Sequence, residues 1–125
     1  MEIKQVSTAN APAAIGPYSQ AIIVGDMVFT SGQIPINPAS GNVEATTIEA
    51  QSEQVMKNLG AVLTAAGSSF EKAVKTTCFL ADIADFAAFN AVYGKYFTTK
   101  PARSCVAVKD LPKGVKVEVE VIATL

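Results

Sequence analysis

Arg103 is the only arginine in the chain, and it stands in Lys100-Pro101-Ala102-Arg103-Ser104-Cys105, after a proline and at the start of an apolar run. The other basic residues are lysines scattered along the sequence. A guanidinium is planar and holds a carboxylate with two parallel N–H donors, which an ammonium group cannot do. At a strand start, such a group reads as a clamp for a small planar anion. Fifteen residues further on, Glu118 and Glu120 lie in an alternating strand pattern, so acid and base could meet across a sheet. A carboxylate lining the same pocket could orient a water molecule and accept its proton. The competing reading is an ordinary Arg103–Glu118 salt bridge, and Glu120 has the same face parity as Glu118.

Other polar groups stand where a cleft could use them. Ser31 and Gly32 end an apolar strand, and Tyr18 follows Gly16-Pro17 in a loop, where its phenol could donate a hydrogen bond. Asn90 lies among the aromatics of a helical pattern. Cys78 and Cys105 are isolated, which suits buried free thiols and a reducing cytoplasm. Histidine is absent, so there is no Ser-His-Asp triad, no His-paired cysteine and no imidazole metal ligand. No phosphate loop, dinucleotide fingerprint or metal-binding spacing occurs, and the reading requires neither metal nor cofactor. The net charge of -1 without a lysine run argues against a nucleic-acid partner.

These groups must be positioned by a domain of 125 residues, read as a single domain over 1–125. Hydrophobic residues make up 50% and charged ones 17%, a thin polar face for a monomer, which points to surface buried in an oligomer. The N-terminus lacks an apolar signal region, and no apolar run is long enough to span a membrane. Strands are expected at 3–6, 21–24 and 27–30, with Gly25-Asp26 as a type II′ hairpin turn. A helix over 46–66 carries Ile48, Ser52, Val55, Leu59, Val62, Leu63 and Ala66 on one face, with Thr46 and Glu49 as a capping box and Gly67 as its stop. A strand over 73–80 and a helix over 82–97 follow, the helix capped by Asp82 and striped with Phe86, Phe89, Tyr93, Tyr96 and Phe97 that reads as core. Strands at 104–108 and 115–123 close the chain, and in the last one valines alternate with Lys116, Glu118, Glu120 and Ile122. The order β-β-β-α-β-α-β-β predicts an α+β fold, one mixed sheet with two helices on one face. The other face of the last strand suits a neighbouring subunit or a ligand cleft.

Four ordered motifs then carry a resemblance: Ala11-Pro12-Ala13-Ala14-Ile15-Gly16-Pro17-Tyr18, Thr30-Ser31-Gly32-Gln33-Ile34-Pro35, Pro101-Ala102-Arg103-Ser104-Cys105 and Val117-Glu118-Val119-Glu120. Together, and essentially end to end, the chain resembles the RidA/YjgF family of enamine/imine deaminases. The resemblance implies a chorismate-mutase-like fold assembled as a homotrimer around barrel-like sheet packing, with clefts between subunits. It implies hydrolysis of 2-aminoacrylate-type enamines and their imines, such as 2-iminopropionate, to 2-oxo acids and ammonia. By the same resemblance Arg103 binds the substrate carboxylate, Glu118 positions the attacking water, and Tyr18, Ser31 and Cys105 line the pocket; Gly32 and Asn90 join them as candidate substrate-binding residues from their places in the sequence. Alternatives are a module that binds 2-oxo or 2-imino acids without turnover, and the ribonuclease or translation-inhibitor label that some family members carry.

Overall fold

The computed structural model describes residues 1–125. The elements run β1 (Ile3–Val6), β2 (Ala21–Val24), β3 (Met27–Thr30), α1 (Ile48–Ala66), β4 (Ala73–Leu80), α2 (Phe86–Tyr96), β5 (Ala102–Ala107) and β6 (Val117–Thr124). They build one six-stranded sheet in the order β1-β2-β3-β6-β4-β5, the expected α+β fold. Only β4 and β5 pair in parallel, because α2 lies between them and returns the chain in the same direction. The last strand in sequence is thus inserted between β3 and β4.

That position explains its sequence. Val117, Val119 and Val121 are buried beneath the helices, while Glu118, Glu120 and Ile122 alternate onto the other face and stay half-buried. Helix α1 lies on β6 and β3 and buries its predicted face, with Leu59, Val62 and Leu63 wholly inaccessible. Each such side chain contributes about 1.5–3 kcal/mol relative to exposure. The second helix packs against the first, and Glu53 of α1 accepts from both Lys95 and the Tyr96 hydroxyl of α2.

Several boundaries differ from expectation for local reasons. The cap of α1 is Thr47, not Thr46: its hydroxyl accepts from the Ala50 N–H at 3.1 Å, so Glu49 falls one position short of a capping box. Gly67 ends the helix in the left-handed region at φ 85°. Asp82 caps a short 3₁₀ turn over Ile83–Asp85, and the α-helix proper begins at Phe86. The β5 strand starts at Ala102, which takes Arg103 into the sheet, while β6 starts at Val117 after a turn at Pro112–Gly114. Gly25 has φ 57° and Asp26 keeps a negative φ, as a type II′ turn requires.

Both helices lie on one face of the sheet. The register places Ile22, Phe29 and Ile122, and likewise Phe79 and Val106, on the other. Phe29 and Val106 are exposed there. No helix is long and apolar enough to cross a membrane.

Candidate active site

Arg103 is held by α2. Its β5 position pairs with Thr76, which also pairs with Val121, so its side chain rises on the helix-covered face. There α2 presents Phe86, Asn90 and Tyr93, four and three residues apart on one helical face. Arg103 Nη1 donates to Asn90 Oδ1 at 2.7 Å, and Cζ lies 4.8 Å from the Tyr93 ring centroid and 5.4 Å from that of Phe86. Tyr93 is itself fixed, sharing a 2.7 Å hydrogen bond with the Thr76 hydroxyl and stacking on Phe97. The aromatic stripe is therefore core and also the seat of the guanidinium, a contact worth about 0.5–2 kcal/mol. Yet no carboxylate compensates the charge, since the ion pairs of the chain are Lys4–Glu2 and Lys95–Glu53. Arg103 is oriented by neutral groups and keeps N–H donors for an external anion.

Glu118 is elsewhere. It pairs with Phe79, three positions from Thr76 on β4, and an odd separation along a strand means the opposite face. Arg103 and Glu118 therefore do not meet across the sheet within one protomer, and they form no salt bridge. Glu118 instead lines a cleft of about 570 Å³ together with Tyr18, Ser31 and Gly32, walled by Pro12, Ile15, Ile34, Ile36 and Pro112. No protein group donates to its carboxylate or pairs with it. Burial, and secondarily repulsion from Glu120, raises its pKa above the usual carboxylate range.

A bulge shapes this cleft. From the pair Phe29–Ile122 to the pair Gln33–Val119 the chain takes four steps on one side and three on the other, so one residue is extra. Thr30 Oγ1 accepts the Val121 N–H at 3.0 Å within that irregularity. Gly32 lies against Glu118, where a Cβ would be 2.6 Å from Oε2, and Ser31 lines the same cleft. The Ser31 hydroxyl donates to the Ser19 carbonyl at 2.5 Å, and its N–H donates to Gln20 O at 2.9 Å. Gln20 is buried and ties down the preceding Pro- and Gly-rich loop: its amide oxygen accepts from Thr8 N–H at 2.7 Å, and its amide nitrogen donates to Pro12 O at 2.7 Å. That loop delivers Tyr18, which is about half exposed at the cleft.

The close approach of Gly32 predicts that Gly32→Ala folds but works poorly. The clashing atoms belong to the movable end of Glu118, so the carboxylate shifts and the backbone does not. The expected result is a melting temperature within a few degrees of wild type, with turnover reduced on the order of 10²-fold by the displaced carboxylate. A variant as active as wild type would mean that the position of Glu118 does not matter.

Of the residues singled out in the sequence, Tyr18, Ser31, Gly32 and Glu118 share one cleft, whereas Arg103, Asn90 and Cys105 belong to the other face. Asn90 holds Arg103. Cys105 is half-buried and sits beside its strand partner Cys78. Burial pushes the Cys105 thiol up and the Cys78 thiol to about 12, so neither is a ready thiolate nucleophile. Phe86, Tyr93, Gln20 and Thr30 were not assigned to the site from sequence. The first two were foreshadowed by their spacing around Asn90; Gln20 and Thr30 act through contacts with no local signature. No three His, Cys, Asp or Glu side chains gather anywhere as a metal site.

The sequence profile of the family described as Endoribonuclease L-PSP matches residues 8–125. The chain is 52% identical over 124 residues to the 2-iminobutanoate/2-iminopropanoate deaminase of Escherichia coli, covering 96% of each. It is also 52% identical over 124 residues to a RutC family protein of Sinorhizobium fredii, covering 98% of each. Among solved structures it resembles YyfA, a protein of unknown function of the conserved Rid family from Yersinia pestis, with TM-score 0.96 and 48% identity over 99% of this chain and 100% of that one.

Proposed function

The chain belongs to the Endoribonuclease L-PSP family, also called RidA/YjgF, and from that membership we propose that it hydrolyses small 2-imino acids, with the enamines that tautomerise to them, to 2-oxo acids and ammonia. One observation carries the reading: an oriented guanidinium without a counter-ion on one face of the sheet, and an unpaired carboxylate in a cleft on the other. A small acid with an electrophilic carbon beside its carboxylate needs both groups. Because one protomer cannot present them to the same molecule, the site is completed by a second copy, Arg103 of one facing the Glu118 cleft of the next. Such a contact joins two different surfaces, and repeated with a closing rotation it makes a ring. The homotrimer implied by the family resemblance is such a ring, and it would cover the apolar second face of the sheet with Phe29, Val106 and Ile122.

In this site Arg103 holds the carboxylate, and the electrophile is the adjacent carbon of the protonated imine, C=NH₂⁺. Glu118 accepts a proton from water as its oxygen bonds to that carbon, giving a tetrahedral amino alcohol. The proton passes to nitrogen, the C–N bond breaks with its electron pair leaving on ammonia, and loss of the hydroxyl proton completes the 2-oxo acid. The protein supplies placement and one proton acceptor. The lack of histidine and of a lysine run favours this chemistry over RNA cleavage.

The test feeds freshly generated enamines of several sizes and follows 2-oxo acid and ammonia against the uncatalysed background. Acceleration supports hydrolysis; binding of the acid without faster ammonia release would show a sensor instead. In the same assay Arg103→Ala loses roughly 10²- to 10³-fold in kcat/KM, and Arg103→Lys recovers little because it keeps the charge but not the fork. A lysine variant at the wild-type rate would remove the clamp from the mechanism.

A further inference from the structure

We propose that Lys113 receives a second carboxylate of the substrate, so that the cleft takes 2-imino acids whose side chain itself ends in a carboxylate. The inference rests on the deaminase reading and names a substrate class for the same site. Lys113 is the only cationic residue that lines the Glu118 cleft. It pairs with no carboxylate of the chain, whose ion pairs are Lys4–Glu2 and Lys95–Glu53. Nor does it compensate Glu118, on which burial and the Glu120 charge act with no cation to offset them. The backbone beneath Lys113 is strained. Leu111 to Gly114 form a turn closed by the Gly114 N–H on the Leu111 carbonyl at 3.1 Å, with Pro112 and Lys113 at its centre. Lys113 has φ 57° and ψ 18°, the left-handed region where such a turn ordinarily carries glycine. Lys100 is the only other non-glycine residue with a positive φ. Glycine would suit the turn better, so a lysine kept there against the backbone preference points to work for its side chain.

The cleft defines what that work is. Arg103 of the neighbouring copy takes the carboxylate beside the C=N carbon, and Glu118 serves the carbon itself, so Lys113 is left for the side chain. At about 570 Å³ the cleft is far larger than a three- or four-carbon acid fills. Its walls Ile15, Ile34, Ile36 and Pro112 suit methylene groups, and Lys113 is the one charge in it that can balance an anion carried on them. Without Lys113 a distal carboxylate would meet only the repulsion of Glu118. The chemistry is otherwise unchanged: water adds at the C=N carbon, ammonia leaves, and the distal carboxylate stays intact in a 2-oxo dicarboxylic acid. The class of reaction that supplies such a substrate is two-electron oxidation at the amine-bearing carbon of an α-amino dicarboxylic acid.

The experiment uses two probes of equal heavy-atom count that differ in the charge of the side-chain end, 2-oxoglutarate and 5-methyl-2-oxohexanoate. Calorimetry gives the affinity for each, and kcat/KM is measured for the corresponding 2-imino acids, made in situ by oxidation of glutamate and homoleucine. The quantity read is the ratio of dicarboxylic to monocarboxylic probe. Wild type favours the dicarboxylic one at low ionic strength. Lys113→Gln lowers the ratio about 3- to 5-fold, as loss of one solvent-facing ion pair does, and added salt narrows the difference between the two proteins. Lys113→Glu lowers it further, whereas Lys113→Arg keeps it. Lys113→Gly lowers the ratio as glutamine does while melting at or above the wild-type temperature, because glycine adopts φ 57° freely. A lysine that only shaped the turn would affect both probes equally, so an unchanged ratio in Lys113→Gln overturns the inference. So does a wild-type preference for the monocarboxylic probe. If wild type hydrolyses neither imine, the deaminase reading fails, and the calorimetric ratio still decides whether Lys113 binds the second carboxylate.

Discussion

Mixing Arg103→Ala protein with Glu118→Ala protein, after reversible dissociation, restores imine hydrolysis that neither variant shows alone. The two side chains project from opposite faces of the sheet, as their partners Thr76 and Phe79 on β4 require. If each site takes Arg103 from one copy and Glu118 from the next, the intact halves can be brought together on different chains. In an equal random mixture both neighbours of a site carry the needed residue in about a quarter of cases, so activity recovers toward that fraction of wild type. Native mass spectrometry on the same sample establishes that mixed oligomers have formed. Mixed oligomers without recovered activity would rule out the shared site.

Glu118→Gln is expected to be nearly inactive and, at neutral pH, more stable than wild type. Loss of a positioned general base costs roughly 10²- to 10⁴-fold in turnover. The gain in stability follows from the pKa: burial, then the Glu120 charge, raises it in the folded protein above the usual 4.5. Between those two values the native state binds more protons than the unfolded chain, so stability falls as pH rises through that window, and the deficit persists at neutral pH. Glutamine carries no charge to desolvate, so its advantage in melting temperature is present at pH 7 and disappears below 4.5, where the glutamate is protonated in both states. The same shift puts the acid limb of the kcat/KM profile above 4.5, and Glu120→Gln, by removing the like charge, moves that limb down. Thermal melts and pH–rate profiles decide this; a less stable Glu118→Gln protein, or an acid limb at or below the ordinary value, would contradict it.

What the chain alone determined about this protein lies within single elements. The face of α1 was legible because apolar residues recur at helical spacing, and all of Ile48, Ser52, Val55, Leu59, Val62, Leu63 and Ala66 are buried. The two faces of β6 were legible because alternation is a property of one strand. Arg103, Glu118, Tyr18, Ser31 and Gly32 could be named from residue chemistry and the motif resemblance. Even the cap of α1 missed by only one residue, since adjacent threonines are separated by which hydroxyl reaches the third N–H of the helix. Relations between elements needed the folded chain. Nothing local says that β6 enters between β3 and β4, and parity cannot be carried from β5 to β6 without the register of β4 between them. The extra residue between Phe29 and Gln33, which brings Gly32 against Glu118, likewise exists only relative to the strand it pairs with. Side-chain periodicity is set by the backbone of one segment, whereas register is set by hydrogen bonds and packing between distant segments, and that register is what places Arg103 and Glu118 on opposite faces.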